Sequence, residues 1–159
     1  MNKHHSLKYY TDEHYKVIDD AETYEELLET ALDILDRIPK PISMVCGPIS
    51  TGGLGNIEAN MKNYEKTLHK LSDEGKNIFN QIPFKKAIQK QFQKSGGTAK
   101  EKNQTLLDRF YLKIYSSGMI NSMYFIHGWE SSHGATWERE IAERFGIEIV
   151  DLDKMYLEK

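Results

Sequence analysis

Apolar residues recur at helical spacing from Tyr24 through Leu27, Leu28, Ala31, Leu35 and Ile38, with Glu22, Glu25 and Glu26 near the helix start and Arg37 near its end. Pro39 and Pro41 stop that helix, and Ile42 to Cys46 is a short apolar run between proline and glycine, the length of a buried strand. After a glycine-rich turn, Asn56 caps a predicted helix whose positions Ile57, Met61, Tyr64, Leu68 and Leu71 keep three-four spacing up to Gly75. Asn77 to Ile82 reads as a second short strand, Phe84 to Phe92 as a helix, and SGGTAKEKN as a mobile surface connector. Leu106, Leu107, Phe110, Tyr111 and Ile114 form the stripe of a further helix closed by Gly118. Met123 to Ile126 is a predicted strand, followed by a helix from Ala135 to Phe145, a strand from Ile147 to Val150 and a short C-terminal helix through Tyr156.

Strands alternating with helices, joined by connections long enough for parallel pairing, predict an α/β fold: a single Rossmann-like, flavodoxin-like domain with a parallel sheet of four to five strands flanked by helices. Ligands of such sheets sit beyond the carboxyl ends of the strands. Residues 1–20 show neither helical nor alternating period and read as a mobile N-terminal arm, which leaves 21–159 as the ordered domain.

The chain has 159 residues, 39% hydrophobic and 28% charged, enough to bury a core without metal or disulfide staples. Its 21 basic and 24 acidic side chains give a formal charge of −3, which offers no general attraction to a nucleic-acid polymer or an anionic membrane. A single cysteine, Cys46, excludes an intramolecular disulfide and suits a reducing cytoplasm. No apolar run approaches the roughly twenty residues that span a bilayer, so the protein is expected to be neither secreted nor embedded.

Two loops carry candidate chemistry. Gly47-Pro48-Ile49-Ser50-Thr51-Gly52-Gly53-Leu54-Gly55-Asn56 lies between a strand and a helix, where backbone amides and the helix start face an anion. It lacks the Gly-Lys-Ser/Thr of a Walker loop and the full GxGxxG spacing, so a plain flexible turn weighs equally with sugar or phosphate binding. The second loop, His127-Gly128-Trp129-Glu130-Ser131-Ser132-His133-Gly134, feeds the helix carrying Trp137, Glu138, Ile141, Ala142 and Phe145. At about 100° per residue, with Trp137 as origin, Ile141 falls near about 40°, Phe145 near about 80°, Glu138 near about 100° and Ala142 near about 140°. Glu138 thus lies inside the apolar stripe, where partial desolvation suits a nucleophile or general base; pairing with a buried cation or helix-terminal amides is the equal alternative.

Other residues have blander readings. His127, His133 and Glu138 match no metal motif, and His4 and His5 are expected to be solvated on the arm, so no metal or cofactor is assigned. Trp129 and Trp137 are candidates for base stacking, with core packing the commoner fate of tryptophan. Asp108 reads as an exposed charge and Cys46 as a small buried hydrophobe.

The order of strand, Gly-Pro-Ile plus glycines and helix, then strand and Gly-Trp-Glu-Ser-Ser-His-Gly-Ala-Thr-Trp-Glu, resembles the nucleoside 2-deoxyribosyltransferase-like superfamily. In particular it is similar to a phage- and prophage-associated branch with a GWExSxGAxxE segment. The resemblance covers Ile42 to Val150 and is carried mainly by the second segment. It implies that Glu138 attacks the anomeric carbon of a sugar, that Gly47, Ile49, Gly52 and Gly53 surround the sugar or its phosphate, and that Ser132, ahead of the motif glycine Gly134, meets a 5′-phosphate. Two departures accompany it. Ser50 and Thr51 stand where nucleotide hydrolases of the superfamily often carry arginine, and Asn121 or Ser122 stands at the position of an acidic residue that many members use.

These residues together predict N-glycosidic cleavage or transfer on a nucleoside or (deoxy)nucleoside 5′-monophosphate, through a covalent glycosyl-enzyme on Glu138 and without a cofactor. Trp129 or Tyr111 would pack against the base, and Asp108, Glu130 or a neighbouring subunit would protonate it. The resemblance also implies a homo-oligomer, with the N-terminal helix as a candidate contact. The rival is a nucleotide-binding module without turnover, and a weaker third is a metal-dependent hydrolase using His127 and His133.

Overall fold

The computed structural model describes residues 3–49 and 52–158; Ser50 and Thr51, the loop residues at the arginine position, lie outside the described residues. Four strands, β1 (Ile42–Cys46), β2 (Asn77–Ile78), β3 (Ser122–Phe125) and β4 (Glu148–Asp151), form one sheet in the order β2-β1-β3-β4. Every pairing is parallel, with Ser43 opposite both Ile78 and Ser122, and Ser122 opposite Glu148. This is the α/β, Rossmann-like architecture expected from the alternation of strands and helices.

Seven helices complete it: α1 (Asp12–Asp20), α2 (Tyr24–Arg37), α3 (Ile57–Asp73), α4 (Lys85–Lys94), α5 (Ala99–Leu106), α6 (Leu112–Ser116) and α7 (His133–Phe145). A π turn at Leu107–Tyr111 joins α5 to α6. No helix among the described residues is long and apolar enough to cross a membrane.

Strand alternation divides the core in two, because successive side chains face opposite sides of a sheet. Met44, Cys46, Met123 and Phe125 join Leu27, Ile34, Phe110, Ile114 and Ile141 on one side. Val45, Tyr124 and Ile126 face Tyr64, Leu68 and Leu71 of α3 on the other. The chain leaves β1 through α3 to β2 at one edge, then crosses back to β3 on the other flank of β1. The strand order therefore reverses between β1 and β3, and the two loops leaving their carboxyl ends border the crevice where ligands of such sheets bind.

Two expectations are corrected. The N-terminal arm is ordered. Thr11 and His14 form a capping box for α1, Tyr10 and Ile18 are buried in the core, and His14 Nε2 contacts Asp33 Oδ2 at 2.6 Å. Tyr10, His14 and Ile18 are four residues apart and share a face; the pattern hides because two of the three carry polar atoms. The connector SGGTAKEKN is also structured in its second half, where Thr98 and Glu101 cap α5 reciprocally. That helix buries none of its residues, so no apolar stripe marks it in the sequence.

Candidate functional site

Both loops converge at the reversal point. Asn60, buried in the first turn of α3, shapes the first loop: its Nδ2 donates to the carbonyls of Ile49 (3.2 Å) and Gly52 (3.0 Å), and its Oδ1 accepts from the Leu54 amide at 2.8 Å. The Gly53 amide donates to Ser131 Oγ at 2.7 Å and clips this loop to the second one. Gly52 needs its glycine: φ is +66°, and a Cβ there would lie 2.2 Å from the Ser131 carbonyl oxygen. Gly47 needs it for approach, since a Cβ would meet Ile126 at 2.8 Å. The expectation that the Gly53 amide grips a sugar is corrected, because Ser131 already occupies it.

In the second loop, Ser132 is buried and its Oγ accepts the Ala135 amide at 3.2 Å, the N-cap bond of α7. Gly134 follows in the first helical turn. Trp129 packs edge-on against Phe125 at 5.7 Å, and the Arg139 guanidinium stands 4.4 Å over its ring. Arg139 is fixed by a two-pronged bond to Asp151, at 2.6 and 3.0 Å. With His127 and Glu130 these residues line a cleft of about 270 Å³ at the carboxyl ends of β3 and β4. Trp137 turns the other way, 6.2 Å from Tyr115.

Glu138 is half-buried on α7, as its place in the apolar stripe predicts. Tyr115 of α6 donates its hydroxyl hydrogen to Glu138 Oε2, and the Cys46 thiol at the end of β1 is in hydrogen-bonding contact with the same carboxyl. Burial raises the Glu138 pKa from 4.5 to about 7, opposed by the Tyr115 and Cys46 hydrogen bonds and by the charge of Lys85. Lys85, the first residue of α4, is half-buried, and desolvation lowers its pKa from 10.5 to about 8 against the pull of Glu138. Burial pushes Cys46 and Tyr115 well above their ordinary values, so both remain protonated donors at neutral pH.

A buried polar chain backs this pair. Tyr111 donates to Gln81 Oε1 at 2.6 Å, Gln81 Nε2 donates to the Tyr64 hydroxyl at 2.8 Å, and Tyr64 donates to the Val45 carbonyl at 3.1 Å. Lys85 Nζ sits 5.9 Å from the Tyr64 ring. Tyr111 therefore belongs to the wall behind Glu138 rather than to the cleft beside Trp129. Sequence reasoning missed Tyr115, Lys85, Gln81 and Tyr64. The one available signal was the pair Tyr111 and Tyr115, two hydroxyls on a stripe that must each find a partner when buried.

The candidate acids are elsewhere. Asp108 is exposed and accepts from Gln104 at 2.8 Å, while Glu130 is exposed on the rim of the Trp129 cleft. Asn121 and Ser122 lie at the amino end of β3, across the sheet from the crevice: Asn121 Oδ1 accepts the Ile42 amide at 2.7 Å, and Ser122 Oγ pairs with Ser43 Oγ at 2.7 Å. Both side chains are structural, so neither replaces a catalytic acid at the crevice.

No curated protein and no solved structure matches the chain. A family model does match, from residue 43 in β1 to residue 151 at the end of β4, a span that holds both loops and Glu138. On that match the chain belongs to the family described as Domain of unknown function (DUF4406).

Proposed function

We propose that the chain cleaves or transfers at the N-glycosidic bond of a nucleoside or (deoxy)nucleoside 5′-monophosphate, with Glu138 as the nucleophile. The observation that carries this reading is a lone half-buried carboxyl at the strand ends, held by Tyr115 and Cys46 and poised to ionise at about pH 7. A Glu138 carboxylate oxygen bonds to the anomeric carbon as the bond from that carbon to the base nitrogen breaks, and the base leaves with the electron pair and takes up a proton. Water, or a second base, then attacks the same carbon and frees the carboxylate. Lys85 favours the ionised carboxylate that the first step requires.

The likeness to the nucleoside 2-deoxyribosyltransferase-like superfamily supports the same role for Glu138, with Gly47, Ile49, Gly52, Ser132 and Gly134 around the sugar end and Trp129 beside the base. The free, buried Cys46 suits a reducing cytoplasm. Leu54 and Ile57, 64% and 59% exposed beside the first loop, support a homo-oligomer in which a partner covers that loop. Incubation with a panel of nucleosides and deoxynucleoside monophosphates is expected to release free base. Glu138→Ala is expected to abolish the release; unchanged turnover removes Glu138 from the mechanism.

The second reading, a nucleotide-binding module without turnover, is favoured by the internally bonded Gly53 amide and by the absence, among the described residues, of a carboxylic acid hydrogen-bonded to the Glu138 cluster. Thermal stabilisation by a nucleotide with no base released would decide for it.

A further inference from the structure

We propose that His4, His5 and Asp73 form a binding site for a divalent transition-metal ion of the zinc class, which fastens the start of the chain to the end of α3. His4 Nε2 and His5 Nε2 converge on Asp73 Oδ1, at 3.2 and 2.6 Å, and the three ligand atoms lie within 4.8 Å of one another. A tetrahedral ion with bonds of about 2.0–2.2 Å spaces its ligand atoms about 3.3 Å apart. The His4 spacing already meets this. The His5 spacing opens to it by a few tenths of an ångström through rotation of Asp73, whose side chain is 61% exposed and unhindered by the core.

The rings are oriented from behind. His4 Nδ1 bonds Ser6 Oγ at 2.8 Å, and His5 Nδ1 faces Ser72 Oγ at 3.4 Å, so each imidazole has its remote nitrogen held by a hydroxyl and its Nε2 directed at the carboxylate. Metal-binding histidines are set in this way, since the outer hydrogen bond fixes the tautomer and the ring plane. The His4 ring is further stacked on His69 at 3.8 Å, with the planes 6° apart. A turn of 3-10 helix at His5–Leu7 brings two consecutive histidines to one point, an arrangement that a straight strand would prevent by alternation.

Electrostatics favours a cation there. Asp73 ends α3, where the helix presents the partial negative charge of its last carbonyls. Two imidazole nitrogens with one carboxylate oxygen suit zinc and its neighbours; magnesium and calcium prefer all-oxygen shells. The site lies just ahead of β2, at the amino edge of the sheet, and is separate from the Glu138 crevice.

The test uses the full chain, stripped with chelator and titrated with zinc chloride by calorimetry, with thermal unfolding in parallel. One equivalent is expected to bind and to raise the melting temperature. Asp73→Asn and the double variant His4→Ala/His5→Ala are each expected to weaken binding by more than about tenfold. The cobalt(II) form is expected to show the visible absorption of a tetrahedral site in the parent and not in the variants. Absence of binding, or equal affinity in parent and variants, overturns the proposal. Should Asp73→Asn fail to fold in chelator, the double histidine variant gives the same reading.

Discussion

The Tyr115 hydroxyl donates its hydrogen bond to Oε2 of Glu138, joining residues 23 positions apart on two packed helices. A neutral donor on a half-buried carboxylate stabilises the charged form, and it does so against burial, the larger influence on this group. The pH at which Glu138 ionises is therefore a balance that single substitutions can tip in known directions.

Tyr115→Phe keeps the ring and removes the donor. The Glu138 pKa is expected to rise above about 7, and base release near neutral pH to fall by about tenfold, recovering at higher pH. A pH–rate profile, together with carbon NMR of the labelled carboxyl, reads both effects. A profile that stays in place would leave Tyr115 as a packing residue only.

Lys85→Met removes the cation that draws Glu138 toward ionisation, so the carboxyl titrates at higher pH while the fold is retained. The substitution also removes a desolvated ammonium. Lys85 loses its proton at about 8 in the folded chain against 10.5 ordinarily, a difference that costs stability below pH 8 and recovers as pH rises through that window. The variant is expected to be more stable than the parent at pH 7, measured by urea unfolding.

Glu138→Gln is expected to lose base release and to gain stability. The folded chain holds the Glu138 proton up to about pH 7, whereas an ordinary glutamate releases it near 4.5, so parent stability falls as pH rises between those values and stays low above. The neutral amide escapes that cost, worth about 1–3 kcal/mol at pH 8 and little at pH 4. Equal pH dependence in the two proteins would show that Glu138 is not desolvated.

Gly52→Ala and Gly55→Ala separate strain from crowding. Both positions have positive φ, +66° and +93°, but a Cβ at Gly55 meets nothing within 4 Å while one at Gly52 strikes the Ser131 backbone. Gly55→Ala is expected to cost about 1 kcal/mol. Gly52→Ala is expected to cost more and to part the two loops, seen as lost hydrogen-exchange protection at the Gly53 amide.

Deleting residues 1–20 is expected to destabilise the domain by at least about 3 kcal/mol, since Tyr10 and Ile18 leave the core and the face of α2 beneath them becomes wet. Thermal unfolding of the truncated chain checks this. An unchanged melting temperature would restore the view of a dispensable arm.

What the sequence disclosed was local. β1 was legible because proline and glycine bracket five apolar residues, α3 because Asn56 and Gly75 mark its ends, and the inward turn of Glu138 because one carboxylate interrupts an apolar stripe. What it hid was distant or polar. The partners of Glu138 come from β1, α6 and α4, and no periodicity connects Cys46, Tyr115 and Lys85. The placement of Asn121 at the amino edge depended on strand register, fixed by Ser43 opposite Ser122, which spacing alone does not reveal.

The π turn at Leu107–Tyr111 holds one peptide unit more than an α-helical path of the same rise, so it behaves as an insertion with a fixed address. Excising a single residue there would rewind the segment and swing everything after it by about 100°. The helix would survive, yet the tyrosine facing α7 would be carried off its acceptor. The acidity of the carboxyl thus depends on a surplus residue that never touches it, and a deletion too small to disturb the hydrophobic core would suffice to orphan it.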